Sequence, residues 1–149
     1  MKQINVAMVA HDNKKAEMIE WVKTHQDKFK TFNLFGTGTT GRLIEEAIGQ
    51  KVHRYLSGPL GGDQQIGAAI SQGEINMLIF FWDPLESLPH DPDIKALLRL
   101  AAVWNIPLAC TVSSADLMIH STLLQDTSYE IKQPDYSQYT SRKTPAEQS

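Results

Sequence analysis

The feature that most constrains the fold is the apolar run at residues 77–82 (MLIFFW). Successive side chains of a strand point to opposite faces, so an unbroken apolar run requires that both faces be buried. Burial on both faces is typical of a parallel sheet covered by helices on each side. We therefore expect this segment to lie in the middle of a parallel sheet.

Shorter apolar segments alternate with amphipathic stretches along the rest of the chain. The clearest helical stripe places Met18, Trp21, Val22 and His25 at i, i+3, i+4 and i+7. The predicted strands are residues 4–10, 31–35, 52–56, 77–82 and 108–112; the predicted helices are residues 12–25, a short one ending near 49, 63–72, 94–104 and 115–120. This alternation predicts an α/β fold of three layers, αβα, around five parallel strands.

The 149 residues are enough for one domain with a single core. From Pro134 onward the chain is polar, and Tyr136 and Tyr139 are its large apolar side chains. We therefore expect one domain over residues 1–133 and a polar tail over residues 134–149.

Charge and cysteine content exclude several classes of protein. The net charge of −3 and the lack of a sustained basic run argue against nucleic-acid binding. Cys110 is the single cysteine, so no internal disulfide forms. No leader-like segment and no stretch of about 18 apolar residues is present, so we expect a cytoplasmic protein without membrane attachment.

The unusual residues concentrate in four segments, each directly after a predicted strand. They are residues 11–12, 36–41, 57–63 and 83–93. The carboxyl ends of parallel strands share one edge of the sheet, where open α/β sheets bind their ligands. One site formed by four loops is the simplest interpretation.

Residues 36–41 (GTGTTG) match GxGxxG but follow the second strand, and no acidic residue ends the next strand, so the pattern does not favour a dinucleotide. The segment offers flexible backbone, threonine hydroxyls and a helix N-terminus, which suit a phosphate monoester. A turn with threonine helix caps is an equally good interpretation. Lys15, one turn after His11, could share an anion with this loop or lie in solvent.

The loop at residues 57–62 (SGPLGG) defines a narrow backbone path that leads to Asp63 at the start of a helix. Asp63 is either a helix cap or a general base held against a ligand.

Residues 83–93 hold four acids, Asp83, Glu86, Asp91 and Asp93, together with His90 and three prolines. We do not favour a metal site there, because the prolines shape the loop without an ion; a carboxylate could instead orient one nitrogen of His90.

Several of these motifs together resemble the methylglyoxal synthase family. They are VAHD at 9–12, TGTTG at 37–41, SGP at 57–59, GGDQQ at 61–65, LIFFWDPL at 78–85, PHDPD at 89–93, KALLRLA at 95–101 and WNIP at 104–107. The resemblance covers most of residues 4–135. It implies a Rossmann-like domain with strand order 3-2-1-4-5, a homohexamer, no metal or cofactor, and inhibition by inorganic phosphate.

The implied reaction is that of a lyase: dihydroxyacetone phosphate becomes methylglyoxal and phosphate, in a bypass of glycolysis. The resemblance matches Asp63 to the catalytic base and His90 to the histidine that polarises the substrate oxygens. It assigns substrate binding to His11, Lys15, Thr37, Gly38, Thr39, Thr40, Ser57 and Gly58, and supporting roles to Asp12, Asp83 and Asp93.

The same resemblance implies an arginine near the C-terminus that reaches a neighbouring subunit's phosphate site. Counting without gaps from Pro134 places Lys143 at that position, with Arg142 one residue earlier. We favour Arg142, because its planar guanidinium can bind two phosphate oxygens. A disordered tail without such a role is the alternative.

Two other functions remain open from the sequence. Similar domains act as regulatory ligand-binding modules in larger enzymes such as carbamoyl phosphate synthetase, but such a module needs no base, and Asp63 and His90 favour the enzyme. A phosphotransfer receiver domain would need paired acids after the first strand, which this chain lacks.

Overall fold

The computed structural model describes residues 3–86 and 91–147. Its strands are β1 (Ile4–Ala10), β2 (Phe32–Gly36), β3 (Val52–Arg54), β4 (Met77–Phe81) and β5 (Leu108–Ala109). They form one parallel sheet in the order β3-β2-β1-β4-β5. The predicted parallel sheet and the strand order implied by the family resemblance are both confirmed.

Helices cover both faces of this sheet. They are α1 (Lys15–Thr24), α2 (Gln26–Phe29), α3 (Gly38–Ile48), α4 (Gly62–Ser71), α5 (Asp91–Val103), α6 (Val112–Ile119) and α7 (Ser137–Ser141). One core cluster joins the sheet to α1, α2, α3 and α6, and a second joins it to α4 and α5. No helix in the described ranges is long and apolar enough to cross a membrane.

The strand β4 lies between these two cores. Met77, Ile79 and Phe81 belong to the first cluster, whereas Leu78 and Phe80 belong to the second. Each of these side chains is at most 2% exposed, which confirms the prediction for this run. Full burial of such a side chain contributes about 1.5–3 kcal/mol, so β4 is a main source of stability.

The register of the strands places their carboxyl ends along one edge. Ala10 of β1 pairs with Phe81 of β4, and Gly36 of β2 pairs with Arg54 of β3. The loops that follow these four strands therefore leave the sheet at the same edge, as expected.

Three strands are shorter than predicted, and one of them, β4, ends at Phe81, one residue before the end of the predicted range. The last strand ends at Ala109, and Val112, predicted to be its final residue, instead begins α6. The cause is Thr111, whose side chain accepts a hydrogen bond from the amide of Ser114 and caps the helix. The third strand ends at Arg54; Leu56 donates its amide proton to the Gln65 side chain, 2.8 Å away, instead of extending the ladder.

The start of the C-terminal tail packs against the end of α5. The Tyr136 hydroxyl donates to the carbonyl of Val103 at 2.5 Å, and its ring packs edge-on against Trp104. The short helix α7 follows; the sequence pattern did not predict it. Its first amide, that of Ser137, donates to the Asp135 carboxylate at 2.9 Å.

We predict that Gly62→Ala destabilises the protein strongly. A Cβ at this position would overlap the carbonyl oxygen of Leu56, and neither backbone segment can move without displacing the loop before α4. The free energy of unfolding should fall by about 3 kcal/mol or more in urea titration. Gly49→Ala is the control, because it has a left-handed φ of 67° but no neighbour within 4 Å; it should cost only about 1–2 kcal/mol. Equal losses for the two variants would contradict the close approach at Gly62.

Candidate active site

A cavity of about 400 Å³ opens at the carboxyl edge of the sheet. Its lining residues come from the end of β1 and from the segments that follow β1, β2, β3 and β4: Val9, Ala10, His11, Asp12, Asn13, Lys15, Thr37, Thr39, Thr40, Ser57, Gly58, Pro59, Asp63 and Glu86. Nine residues predicted from the sequence meet here. A second cavity, of about 370 Å³, lies at the opposite edge, and no predicted site residue is among its described lining residues.

The segment at residues 36–41, called the threonine loop below, includes the amino end of α3, which borders the cavity. Thr37 is the N-cap residue, but its side chain makes no capping hydrogen bond. The interpretation of these threonines as helix caps is therefore wrong for Thr37. The Gly38 amide donates to the carbonyl of Leu56 at 3.3 Å, which ties the loop to the segment after β3. The amides of Thr39 and Thr40 lie in the first turn, where a helix provides no backbone acceptor, so they can donate to an anion.

Lys15 brings a positive charge to the same end of the cavity. Its Nζ donates to the carbonyl of Ala10 at 3.0 Å and to Oδ1 of Asp12 at 2.7 Å. It is the one lysine or arginine among the described lining residues. The hydrogen bond and the charge of Lys15 lower the pKa of the Asp12 carboxyl, which therefore stays ionised at neutral pH.

Asp63 lies in the first turn of α4 and is only 7% exposed. The N-cap residue of this helix is Gly61, with a φ of 111°, so the alternative that Asp63 is the cap is wrong. Gly58 lies beside the carboxylate: a Cβ there would be 3.4 Å from both of its oxygens. The glycine-rich loop thus delivers a buried carboxylate to the cavity wall, with its charge near the positive end of a helix dipole.

The His11 ring is held in place by a hydrogen bond from the segment that follows β4. The amide of Asp83 donates to Nδ1 of His11 at 3.3 Å, and the ring packs edge-on against Phe80. Since Nδ1 accepts this bond, the neutral ring carries its proton on Nε2. The Asp83 carboxylate accepts from the Asn13 side chain at 3.1 Å, and this bond is the main cause of the lowered pKa of Asp83.

Those of the remaining predicted residues that the structure describes are not among the lining residues of the cavity. Asp93 accepts a hydrogen bond from the side chain of Gln64 at 2.9 Å. Gln64 is the residue that directly follows Asp63 in the sequence. The Arg142 guanidinium lies over the Tyr139 ring, 4.3 Å from its centroid, and is not among the cavity-lining residues that the structure describes. His90 falls outside the described residues. In the described part of the chain, no group of three or more histidines, cysteines and acids is arranged to hold a metal ion.

Comparison with known proteins agrees with this geometry. Residues 17–110 match the model of the MGS-like domain. A methylglyoxal synthase from Saccharophagus degradans is 58% identical over 139 residues, 93% of this chain and 90% of the relative. One from Hahella chejuensis is 54% identical and covers 95% of this chain and 91% of its own. The chain belongs to the methylglyoxal synthase family.

A solved structure of a family member shows the same fold. The crystal structure of methylglyoxal synthase from Elizabethkingia anophelis superposes with a TM-score of 0.87 at 48% identity, covering 96% of this chain and 93% of that one. The family and the three-layer α/β architecture inferred from the sequence motifs are both confirmed.

Five of the fourteen described lining residues had no predicted role in the site, and two of them, Asn13 and Glu86, have polar side chains. Asn13 directly follows the His11–Asp12 pair after β1 and had no role assigned, although its place in that loop could have suggested one. Glu86 was considered only as one carboxylate of a metal site that we did not favour. The Asn13 side chain donates a hydrogen bond to the Glu86 carboxylate, 73 positions away in the sequence. This contact exists only in the folded chain, so no local sequence pattern indicates it.

We predict that Lys15→Met raises the pKa of Asp12 toward its ordinary value, because the variant removes both the hydrogen bond and the positive charge. A ¹³C-detected titration of the aspartate carboxyl groups measures this change. In the parent, the ion pair contributes to stability at neutral pH, and this contribution is lost as the pH falls through the lowered pKa. Lys28→Met, outside the cavity, should leave Asp12 unaffected; an unchanged Asp12 pKa in Lys15→Met would contradict the ion pair.

Proposed function

We propose that this protein converts dihydroxyacetone phosphate into methylglyoxal and inorganic phosphate. The observation that carries the proposal is that one cavity holds a buried carboxylate, Asp63, together with Lys15 and the amino end of α3. The relatives named methylglyoxal synthase match more than nine-tenths of the chain.

In this proposal the substrate phosphate lies at the threonine loop. The amides of Thr39 and Thr40, the positive end of the α3 dipole and the Lys15 ammonium are donors or charges suited to a phosphate ester. Thr37, Gly38, Ser57 and Gly58 complete the walls that surround the ester. His11 contributes its Nε2 proton as a donor to a substrate oxygen.

The chemistry begins with proton abstraction by Asp63. The carboxylate takes a proton from the substrate carbon next to the carbonyl, and the electron pair left on carbon forms an enediolate. We assign His90, as a neutral imidazole, to donate a hydrogen bond to the enediolate oxygen, since an imidazole does so without the acidity of the full cation. Asp12, Asp83 and Asp93 support this arrangement, Asp12 through Lys15 and Asp83 through His11.

Phosphate elimination completes the reaction. The enediolate oxygen forms a carbonyl and a new carbon–carbon double bond forms as the carbon–oxygen bond to phosphate breaks. The resulting enol becomes methylglyoxal by taking up a proton at carbon and losing its hydroxyl proton, and the released phosphate takes up the proton that Asp63 removed. Elimination requires that the breaking bond stand perpendicular to the enediolate plane, so the phosphate site must select that rotamer. The steps move protons and one leaving group without oxidation or reduction, so they need no redox cofactor. The proposal assigns the proton transfers to Asp63 and His90 and includes no metal or cofactor.

The cellular setting and assembly are part of the same proposal. We place the enzyme in the cytoplasm, in a bypass of glycolysis, as a homohexamer inhibited by inorganic phosphate. Inorganic phosphate would bind the same donors as the substrate phosphate. We divide the chain into a domain of residues 1–133 and a tail of residues 134–149.

The first test is the reaction itself. The purified protein, incubated with dihydroxyacetone phosphate, should release methylglyoxal and inorganic phosphate in equal amounts. Asp63→Asn should lower kcat by about 10²–10⁴-fold or more, because the amide cannot accept the proton, while phosphate binding stays largely intact. Asp27→Asn, an exposed aspartate outside the cavity, should retain the parent rate. Activity of Asp63→Asn within tenfold of the parent would place the base elsewhere.

The second test concerns the tail. We propose that Arg142 reaches the phosphate site of a neighbouring subunit, which requires it to leave the Tyr139 ring. Arg142→Ala should weaken phosphate binding by about 10-fold to 150-fold, since a hydrogen bond between charged groups contributes about 1.5–3 kcal/mol. Calorimetry and oligomer mass are compared for Arg142→Ala, Lys143→Ala and a chain truncated after Tyr139. A loss confined to Lys143→Ala would assign the role to lysine, and parent-like behaviour of all three would exclude the tail from the site.

A further inference from the structure

Asn13 connects the segment after β1 to the segment after β4 at the cavity. Its Nδ2 donates to Oδ2 of Asp83 at 3.1 Å and to Oε2 of Glu86 at 3.0 Å. A carboxamide nitrogen carries two protons, so it can serve both carboxylates at once. Asn13 and Glu86 both line the cavity, and the bridge holds the Glu86 carboxylate against it.

Sheet order places Glu86 opposite the proposed phosphate site. The threonine loop follows β2, Glu86 follows β4, and these two strands flank β1 on opposite sides. A ligand that extends from Thr39 across the end of β1 would therefore bring its other end to the side of the cavity where Glu86 lies.

In the described part of the chain, Glu86 has a hydrogen-bond partner but no ion-pair partner. Its bridging partner, Asn13, is a neutral amide, and no lysine or arginine in the described ranges forms an ion pair with it. Lys15, the one lysine or arginine among the described lining residues, is already paired with Asp12 at 2.7 Å. A second anionic group on a ligand would thus meet a like charge rather than a partner.

We propose that Glu86, held by Asn13, is a specificity-determining residue that disfavours phosphate esters whose far end is anionic. Dihydroxyacetone phosphate ends in a neutral hydroxymethyl group and is accepted. 3-Phosphoglycerate carries a carboxylate at the corresponding carbon and is rejected. This inference rests on the phosphate site of the proposed function.

The test compares ligands that share a phosphate but differ at the other end. Calorimetry measures binding of 3-phosphoglycerate and of glycerol 3-phosphate, which ends in a neutral hydroxyl, to the parent and to Glu86→Gln. The substitution keeps the shape of the side chain and an oxygen for Asn13 but removes the charge. We expect 3-phosphoglycerate to bind Glu86→Gln about threefold to tenfold more tightly than the parent, with little change for glycerol 3-phosphate.

Controls separate this local effect from net charge and from folding. Glu20→Gln changes the net charge equally at an exposed position on α1 outside the cavity, and should leave the ratio of the two affinities at its parent value. The gain in Glu86→Gln should shrink as salt is raised from about 0.01 to 0.3 M, because exposed charges are screened; a change in packing would not respond in this way. Asn13→Ala should lose part of the discrimination, since Glu86 is then no longer held.

The outcomes distinguish this inference from the proposed function. If the parent binds glycerol 3-phosphate and Glu86→Gln leaves the ratio of affinities unchanged, the role of Glu86 is overturned while the phosphate site stands. An unchanged ratio in Asn13→Ala overturns the holding role of Asn13. If the parent binds neither ester nor inorganic phosphate, the phosphate site itself fails, and the specificity inference fails with it.

Discussion

Burial of both faces of β1 and β4 is the constraint on which the rest of the structure depends. Met8 and Ile79 pack into one core while Val9 and Phe80 pack into the other, so neither strand can shift by one residue without exchanging its two sets of side chains. The pairing of Ala10 with Phe81 then fixes where both strands end. The loops that carry His11 and Glu86 consequently leave the sheet at matching heights and can form one cavity.

The glycine-rich loop after β3 converts this edge into a site with a buried carboxylate. Gly62 passes so close to the carbonyl of Leu56 that no side chain fits between them, and Gly61 takes a left-handed conformation. These two positions let α4 begin directly beneath the loop, which places Asp63 in the cavity wall next to Gly58. The cost in backbone entropy is offset by α4, whose Ile66 and Ile70 are fully buried.

The charged side chains that line the cavity are mostly acidic. The described lining residues include three carboxylates, Asp12, Asp63 and Glu86, and one ammonium, that of Lys15. A phosphate ester must therefore obtain most of its stabilisation from backbone amides and the α3 dipole, with any further cation supplied from outside this cavity. This balance gives the proposed tail arginine a physical role, and it explains why one additional carboxylate at the far end can influence which ligands bind.

The sequence by itself determined the layers, the strand positions and the edge at which the site forms. Local periodicity and glycine placement encode these features, and the run at residues 77–82 requires a covered parallel sheet wherever the other strands lie. Long, ordered motifs also determined the family. Only the tertiary structure decided that Thr37 leaves its helix uncapped, that Gly61 rather than Asp63 caps α4, and that Asn13 joins Asp83 to Glu86. These outcomes depend on hydrogen bonds between loops that are distant in the chain, and no local pattern specifies the distance between two such loops.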